Sequence, residues 1–360
     1  MAKSPVIVVE DDPFTRLIPI VLDPARNDER TTAFVNFMAH DLPDFDGWVR
    51  RVRAGASRLY PAEVRMVSSQ DELRANLSDC QVLVVEALSV GREELALAGH
   101  LEVLQKFGTT LRNIDTAACA ERKIALLTLR RRANISCAEH AFALMLMLAR
   151  KLQTVSGLVT VERINAAGLD YRPYDRRHSA GGNFARVGGT RALNGATIGI
   201  IGLGEIGREI ARRAVAFDMQ VLYHQRTPAS AAEEREFKAR HVPLDTLLAE
   251  ADWIIPQLPT LPATRNLLGR DELARIKPQA CIVNVANAPL VNRDALLEVL
   301  RSGRLAGIAL DVHYQEPVAD DDELLSFDNV ILTPRMAGSP RANALNDLEE
   351  LIIGLARELS

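Results

Sequence analysis

The amino-acid sequence predicts an α/β protein whose parallel, doubly wound sheets are divided between two domains. Three observations predict it. A chain of 360 residues, at a prior of about 150 residues per domain, gives two domains. Two stretches of the chain alternate short β-branched runs with amphipathic helical runs, the rhythm of a parallel sheet with covering helices. In the second stretch, "GLGEIG" (residues 202–207) joins a strand-like run to a helix-like one, as a turn that feeds a helix onto a bound anion must do.

The elements follow in order. The first 60 residues mix helical and turn signals and carry no assignable function. From residue 64, "VRMVSS" reads as a strand, "QDELRANLSD" as a helix, "CQVLVVEA" as a buried strand and "REELALAG" as a helix. "SCAEHAFALMLMLARKL" (136–152) is a strong helix. Ser136 stands at its cap, Glu139 at the capping-box position, and basic residues close it. Being apolar on most sides, it is expected to be buried between layers or subunits. The preceding Arg130, Arg131 and Arg132 read as a solvated turn, with added positive potential at the cleft as the alternative. A polar stretch rich in Gly and Arg (165–195) is long for a loop, and such loops usually carry function or meet a partner.

The second block is more regular. "ATIGIIGLG", "MQVLYHQ", "DWIIPQL", "ACIVNVA", "LAGIALDV" and "NVILTP" read as strands, separated by helices such as "EIGREIARRAVAF", "LDTLLAEA", "RDELARI" and "RDALLEVLRSG". In a doubly wound sheet the ligand crevice lies at the carboxyl ends of the strands.

Composition excludes several function classes. Apolar residues make up 48% and charged residues 25% of the chain, an ordinary globular balance. A net charge of −4 gives no reason to expect nucleic acid or an anionic membrane as partner. The four cysteines, Cys80, Cys119, Cys137 and Cys281, form no CxxC pair and no metal-ligand spacing, so reduced thiols and no metal are expected. "MAKSPVIVVEDDP" lacks a long apolar core for a secretory signal, and "AFALMLMLA" (141–149) is too short to span a bilayer. A cytoplasmic protein is expected.

The glycine motif assigns a cofactor class. Gly202 allows the tight turn, Gly204 lets backbone approach a pyrophosphate, and Gly207 lets helix and strand pack closely, with Glu205 and Ile206 opening the helix. The second strand of the unit ends about 18 residues after Gly207, where an Asp or Glu would bind the ribose 2′-hydroxyl of NAD. This chain has Gln225 and Arg226 there. A neutral residue removes repulsion against a 2′-phosphate, and Arg can hold one by charge-assisted hydrogen bonds. NADP(H) is therefore favoured, with NAD(H) as the alternative.

At these residues the chain resembles the D-isomer-specific 2-hydroxyacid dehydrogenases. The resemblance runs from about residue 80 to about residue 345, through "KFGTTLRNID" (106–115), "SCAEHAFALMLMLAR" (136–150), "GIIGLGEIGREIARRA" (199–214), "LPTLPATRNLLG" (258–269), "IVNVANAPLVNRDALLEVLRSG" (282–303), "GIALDVHYQEP" (307–317) and "ILTPRMAG" (331–338). It implies two Rossmann-like domains, a cofactor domain (135–332) inserted into a substrate domain (1–134 and 333–360), a cleft between them, and a homodimer built on the 136–152 helix and the 153–195 arm. "YHQR" is similar to the strand end of NADPH-preferring glyoxylate/hydroxypyruvate reductase members.

The family implies three catalytic side chains: an Arg on the substrate carboxylate, a His that protonates the carbonyl oxygen, and a Glu that keeps the His protonated. Glu316 in "DVHYQEP" matches the Glu, but Asn287 stands where the Arg belongs and Arg335 where the His belongs. Asn can hydrogen-bond a carboxylate without charge, for about 1 kcal/mol against roughly 1.5–3 for a charged bond. A guanidinium stays protonated and cannot act as the acid, and loss of a general acid typically costs roughly 10²–10⁴ in rate. Arg335 can instead hold a substrate carboxylate or a developing alkoxide, with Glu316 as its ion-pair partner. His313 is the nearest histidine in sequence and an alternative proton source; a packed or surface His is the competing reading.

The resemblance also places Asp311 near the nicotinamide, Leu258, Pro259 and Thr264 along the adenosine and pyrophosphate side, and Val285 and Ala286 on the cofactor side of Asn287. Gly108, Thr109 and Thr110 lie where backbone N–H groups bind the substrate carboxylate. The expected function is hydride transfer between a nicotinamide and a 2-oxo or 2-hydroxy acid, or a related small anion. A catalytically silent dinucleotide-binding dimer is the alternative.

Overall fold

The structure is a computed structural model that describes residues 4–24 and 28–359. Contacts divide the chain into two compact units, Met1–Ser136 with Gly338–Ser360, and Cys137–Ala337. Residues 333–337, which the sequence reading grouped with the substrate domain, are thus in the second unit.

The first unit holds a parallel sheet of strands β1 (Val6–Glu10), β2 (Glu63–Val67), β3 (Val82–Val85), β4 (Val103–Lys106) and β5 (Ala125–Leu127), in the order β2-β1-β3-β4-β5. This is a doubly wound order that reverses between β1 and β3. β1 is central, and Val6 to Val9 are all buried. Such an all-apolar run is what a strand covered on both faces requires, although "PVIVVE" lies in the part of the sequence that gave no clear rhythm. Several short helices start on side-chain caps: Asp44 accepts from Gly47 N, Ser69 from Glu72 N and Asp115 from Ala118 N. The closing helix Ala342–Glu358 buries Leu345, Leu348, Leu351, Ile352 and Leu355 in the core of this unit, each worth about 1.5–3 kcal/mol of gross burial.

The second unit holds β6 (Thr197–Ile201), β7 (Gln220–His224), β8 (Ala239–His241), β9 (Trp253–Pro256), β10 (Cys281–Asn284), β11 (Gly307–Leu310) and β12 (Val330–Leu332), in the order β12-β11-β10-β9-β6-β7-β8. Every pairing is parallel. The order reverses between β6 and β9, which makes the carboxyl ends of those strands the topological switch point. Both units are α/β with parallel sheets, as expected.

Two local expectations are corrected. The long helix runs Arg132–Arg150, so Ser136 and Glu139 lie inside it and do not cap it. Its first N–H groups, those of Arg132 and Ala133, donate to Asp347 at 2.9 and 3.3 Å, a cap 215 residues away that no local pattern announces. The helix then stops at Lys151, which takes a left-handed φ of 53°. Arg131 and Arg132 are also not a solvated turn. Arg131 is 9% exposed, its guanidinium carbon 4.0 Å above the Phe107 ring centroid, and Arg132 pairs with Asp347 and Glu350. Stacking on an aromatic face lets a guanidinium be buried along a turn. Among the described residues, no helix is long and apolar enough to cross a membrane.

Candidate active site

The glycine turn forms the first half of the site. Gly202 takes φ of +104°, and a Cβ there would lie 2.5 Å from the Gln257 carbonyl oxygen. The loops after β6 and β9 therefore meet at the switch point so closely that only glycine fits. A Cβ on Gly207 would lie 2.3 Å from Gly202 O, whereas one on Gly204 would meet nothing within 4 Å. The helix that follows, Glu205–Ala216, starts at Gly204 with no side-chain cap. The space beside Gly204 at the start of this helix is thus open, which fits a pyrophosphate on the positive end of the helix dipole.

Residues from three other strand ends close this crevice. Gln225 Oε1 accepts from Leu203 N at 3.1 Å and its Nε2 donates to Thr227 O at 2.8 Å, so its amide builds the glycine turn. Arg226 beside it is exposed. His241 Nε2 donates to Gln225 O at 3.0 Å and fixes the same bend. Thr264 Oγ1 donates to Pro259 O and accepts from Leu261 N at 2.6 and 2.8 Å, which folds the loop after β9 into a tight turn. After β10, the fully buried Asn284 accepts from Ala286 N and Asn287 N at 3.0 and 3.1 Å and donates to Asn287 O at 2.8 Å. Asn287 donates one amide hydrogen to Leu258 O at 2.9 Å. Val285, Ala286, Asn287 and Leu258 are thereby brought together at adjacent strand ends.

The second half of the site is the turn after β12. Asp311, at the end of β11 and 2% exposed, accepts from Thr333 Oγ1 at 2.6 Å, Met336 N at 2.7 Å and Ala337 N at 2.8 Å. His140 Nε2 lies 3.2 Å from both Asp311 Oδ1 and Thr333 Oγ1. Burial pushes the Asp311 pKa up, but the hydrogen bonds from His140, Thr333, Ala337 and Met336 outweigh it and hold the carboxyl below its ordinary value. Asp311 is therefore an ionised clamp on the turn that carries residue 335. Sequence reading found Asp311 but missed His140 and Asn284. Neither has a local signal, because each acts on backbone or side chains that only the fold brings near.

Within that turn Arg335 takes φ of +56°, a conformation that costs a non-glycine residue free energy and concentrates at functional sites. Its Nη1 lies 3.0 and 2.9 Å from the two oxygens of Glu316. The side chain is 63% exposed, so the pair itself adds no more than about 1 kcal/mol to stability. No other hydrogen bond of the Arg335 guanidinium occurs among the described residues, so Nε and Nη2 keep their donors for an anion. His313 completes the group: its backbone N donates to Glu316 Oε1 at 3.1 Å, and its ring Nε2 donates to Thr333 O at 2.8 Å. A carbonyl can only accept, so Nε2 carries a hydrogen, and Nδ1 is the ring atom left to gain or lose a proton. Burial raises the Glu316 pKa, and the Arg335 and His313 contacts more than reverse this. Glu316 is thus an anion held by the Arg335 guanidinium and the His313 backbone N–H.

Gly108, Thr109 and Thr110 belong to the first unit, at the carboxyl end of β4. Gly108 takes φ of +154°, and its carbonyl accepts from Leu129 N at 2.9 Å.

Comparison with known proteins bears on this geometry. The family described as "D-isomer specific 2-hydroxyacid dehydrogenase, NAD binding domain" matches residues 142–337. The chain is 34% identical over 280 residues to glyoxylate/hydroxypyruvate reductase B of Yersinia pseudotuberculosis serotype O:3 (strain YPIII), covering 77% of this chain and 80% of that protein. Two solved structures share the fold. The PH0520 protein of Pyrococcus horikoshii OT3 is 22% identical with a TM-score of 0.58, covering 99% of this chain and 92% of that one. Apo D-mandelate dehydrogenase of Rhodotorula graminis is 24% identical with a TM-score of 0.55, covering 98% and 93%.

Proposed function

Because the chain belongs to the D-isomer-specific 2-hydroxyacid dehydrogenase family, we propose that it is a reductase that prefers NADPH and acts on a small 2-oxo acid through an altered active site. The observation that carries this reading is the Glu316–Arg335 pair, in the same unit as a nucleotide crevice that keeps its glycine geometry. The Glu has an anionic-site partner in place of the family histidine, and that partner retains free donors. The exposed Arg226 beside the bend after β7 supports recognition of a 2′-phosphate.

A bound dihydronicotinamide supplies the hydride to the carbonyl carbon. The chain's residues manage the charge and the proton. The open edge of Arg335 stabilises the carbonyl oxygen as it becomes negative. His313 then gives the Nδ1 proton to that oxygen, leaving a neutral imidazole still donating through Nε2 to Thr333 O. Glu316 accepts from the His313 backbone N–H and orients the Arg335 guanidinium. Asp311 holds the turn in register. Asn287 adds an uncharged hydrogen bond to the substrate. The exposed Leu152, Val159, Val161 and Phe184 of the arm support pairing of two copies of the chain.

The test is oxidation of NADPH followed by its absorbance with a panel of 2-oxo acids that begins with glyoxylate and hydroxypyruvate. Turnover with at least one acid, faster with NADPH than with NADH, is expected. Tight NADPH binding with no turnover across the panel would instead make the chain a silent dinucleotide-binding protein.

A further inference from the structure

We infer that Arg131 is a carboxylate anchor in the first unit. The inference rests on the functional reading above. A 2-oxo acid brings a carboxylate that must meet a counter-charge.

In the first unit the sheet reverses between β1 and β3, so its ligand crevice is expected at the carboxyl ends of those strands and their neighbours. Two buried cations lie there, Lys106 at the end of β4 and Arg131 beyond β5, 5% and 9% exposed. Lys106 Nζ donates to the backbone oxygen of Glu86, and Arg131 Nη1 lies 3.3 Å from the Glu86 carboxylate Oε1. That bond is long, and Arg131 Nε is buried with no hydrogen-bond partner. An orphaned donor on a buried cation is costly unless an anion meets it.

The neighbouring acids do not answer that need. Glu10 turns its carboxylate to the N–H groups of Glu86, Ala87 and Leu88. Asp12 accepts from Phe14 N. Burial, with Asp12 and Glu10 nearby, raises the Glu86 pKa and so weakens it as a counter-ion. The site is also tied to the loop at residue 108: Leu129 N donates to Gly108 O, and Phe107 forms the face on which Arg131 stacks. A guanidinium centred 4.0 Å above an aromatic ring, with an Nε that makes no hydrogen bond, has the donors to engage a carboxylate through two parallel bonds.

The probe is oxalate, a planar dicarboxylate with no reducible carbonyl, titrated calorimetrically into the full chain with saturating NADPH. Arg131→Met keeps an unbranched chain over Phe107 and removes the charge. It is expected to weaken oxalate binding by roughly 10–100-fold, the loss of a charged hydrogen bond, and to raise the KM for the 2-oxo acid similarly, while NADPH affinity and kcat change by less than about threefold. Arg131→Lys should fall between the two. Unchanged oxalate affinity and KM in a folded Arg131→Met protein would overturn the inference and leave the reductase reading standing. If Arg131→Met does not fold, Arg131→Lys decides, and an oxalate affinity equal to wild type overturns it. Oxalate binding that depends on Arg131 without turnover on any 2-oxo acid upholds the anchor and overturns the reductase reading. Wild type that neither binds oxalate nor turns over overturns both.

Discussion

His313→Gln separates the proposed proton donor from the structure that holds it. Glutamine presents an N–H that can still reach Thr333 O, the bond now made by Nε2 at 2.8 Å. The backbone bond from residue 313 to Glu316 is unaffected by the side chain. The substitution therefore exchanges one neutral hydrogen bond for another, and stability should change by less than about 1 kcal/mol. What disappears is a titratable proton. If that proton reaches the carbonyl oxygen in the rate-limiting step, kcat should fall roughly 10²–10⁴-fold, a loss of about 3–5 kcal/mol in barrier terms. The assay is steady-state NADPH oxidation at saturating 2-oxo acid across pH. Wild-type kcat should exceed that of the variant at every pH tested. Adding Arg335→His to the His313→Gln protein places an imidazole beside Glu316 and should recover at least about tenfold. A His313→Gln enzyme with wild-type kcat and the same pH profile would refute the assignment and leave water as the proton source.

Other outcomes follow from the same geometry. Arg226→Ala should weaken NADPH binding by roughly 10–100-fold with little change for NADH; equal NADPH affinity by fluorescence titration would remove the 2′-phosphate assignment. Gly204→Ala should fold normally, since its Cβ meets nothing within 4 Å, yet lose most cofactor affinity by blocking the backbone approach. Gly207→Ala, whose Cβ would lie 2.3 Å from Gly202 O, should lower the melting temperature as well. Asp311 and Glu316 have lowered pKa values in the folded chain, so their contributions are fully present above the unfolded carboxyl range and are lost as pH falls below about 4. Asp311→Asn should therefore melt at a lower temperature near neutrality and lose less on acidification; parallel melting curves for variant and wild type between pH 6 and 3 would contradict this.

What the sequence made legible was local. "TIGII" before "GLGEIG" marks a strand, a turn and a helix because glycine, burial and β-branching act over a few residues. The second unit's strands were nearly all readable for that reason. β1 was not recognised, because a short apolar run among unclear neighbours has no periodicity of its own, and the three-residue edge strand β8 carries a charged residue at its centre. The site divided in the same way. Glu316, Arg335 and Asn287 could be found from the family resemblance, but not that Arg335 sits in a left-handed turn clamped by Asp311 from 22 to 26 positions away. The cap on Arg132 comes from Asp347, and the environment of Arg131 from Phe107 and Glu86. A run of three arginines looks like a solvated turn unless the partners that bury it are known.

The central claim is that hydride passes between a nicotinamide and the carbon next to a carboxylate despite Asn287 and Arg335. The most direct measurement follows deuterium from the reactive C4 position of NADPH into the product of the best 2-oxo acid, by mass spectrometry and proton NMR. Deuterium at C2 of a single enantiomer of the 2-hydroxy acid, or at the prochiral C2 when glyoxylate is the substrate, is the result expected. NADPH bound tightly by a folded chain, with no label transferred to any acid of the panel, would contradict it.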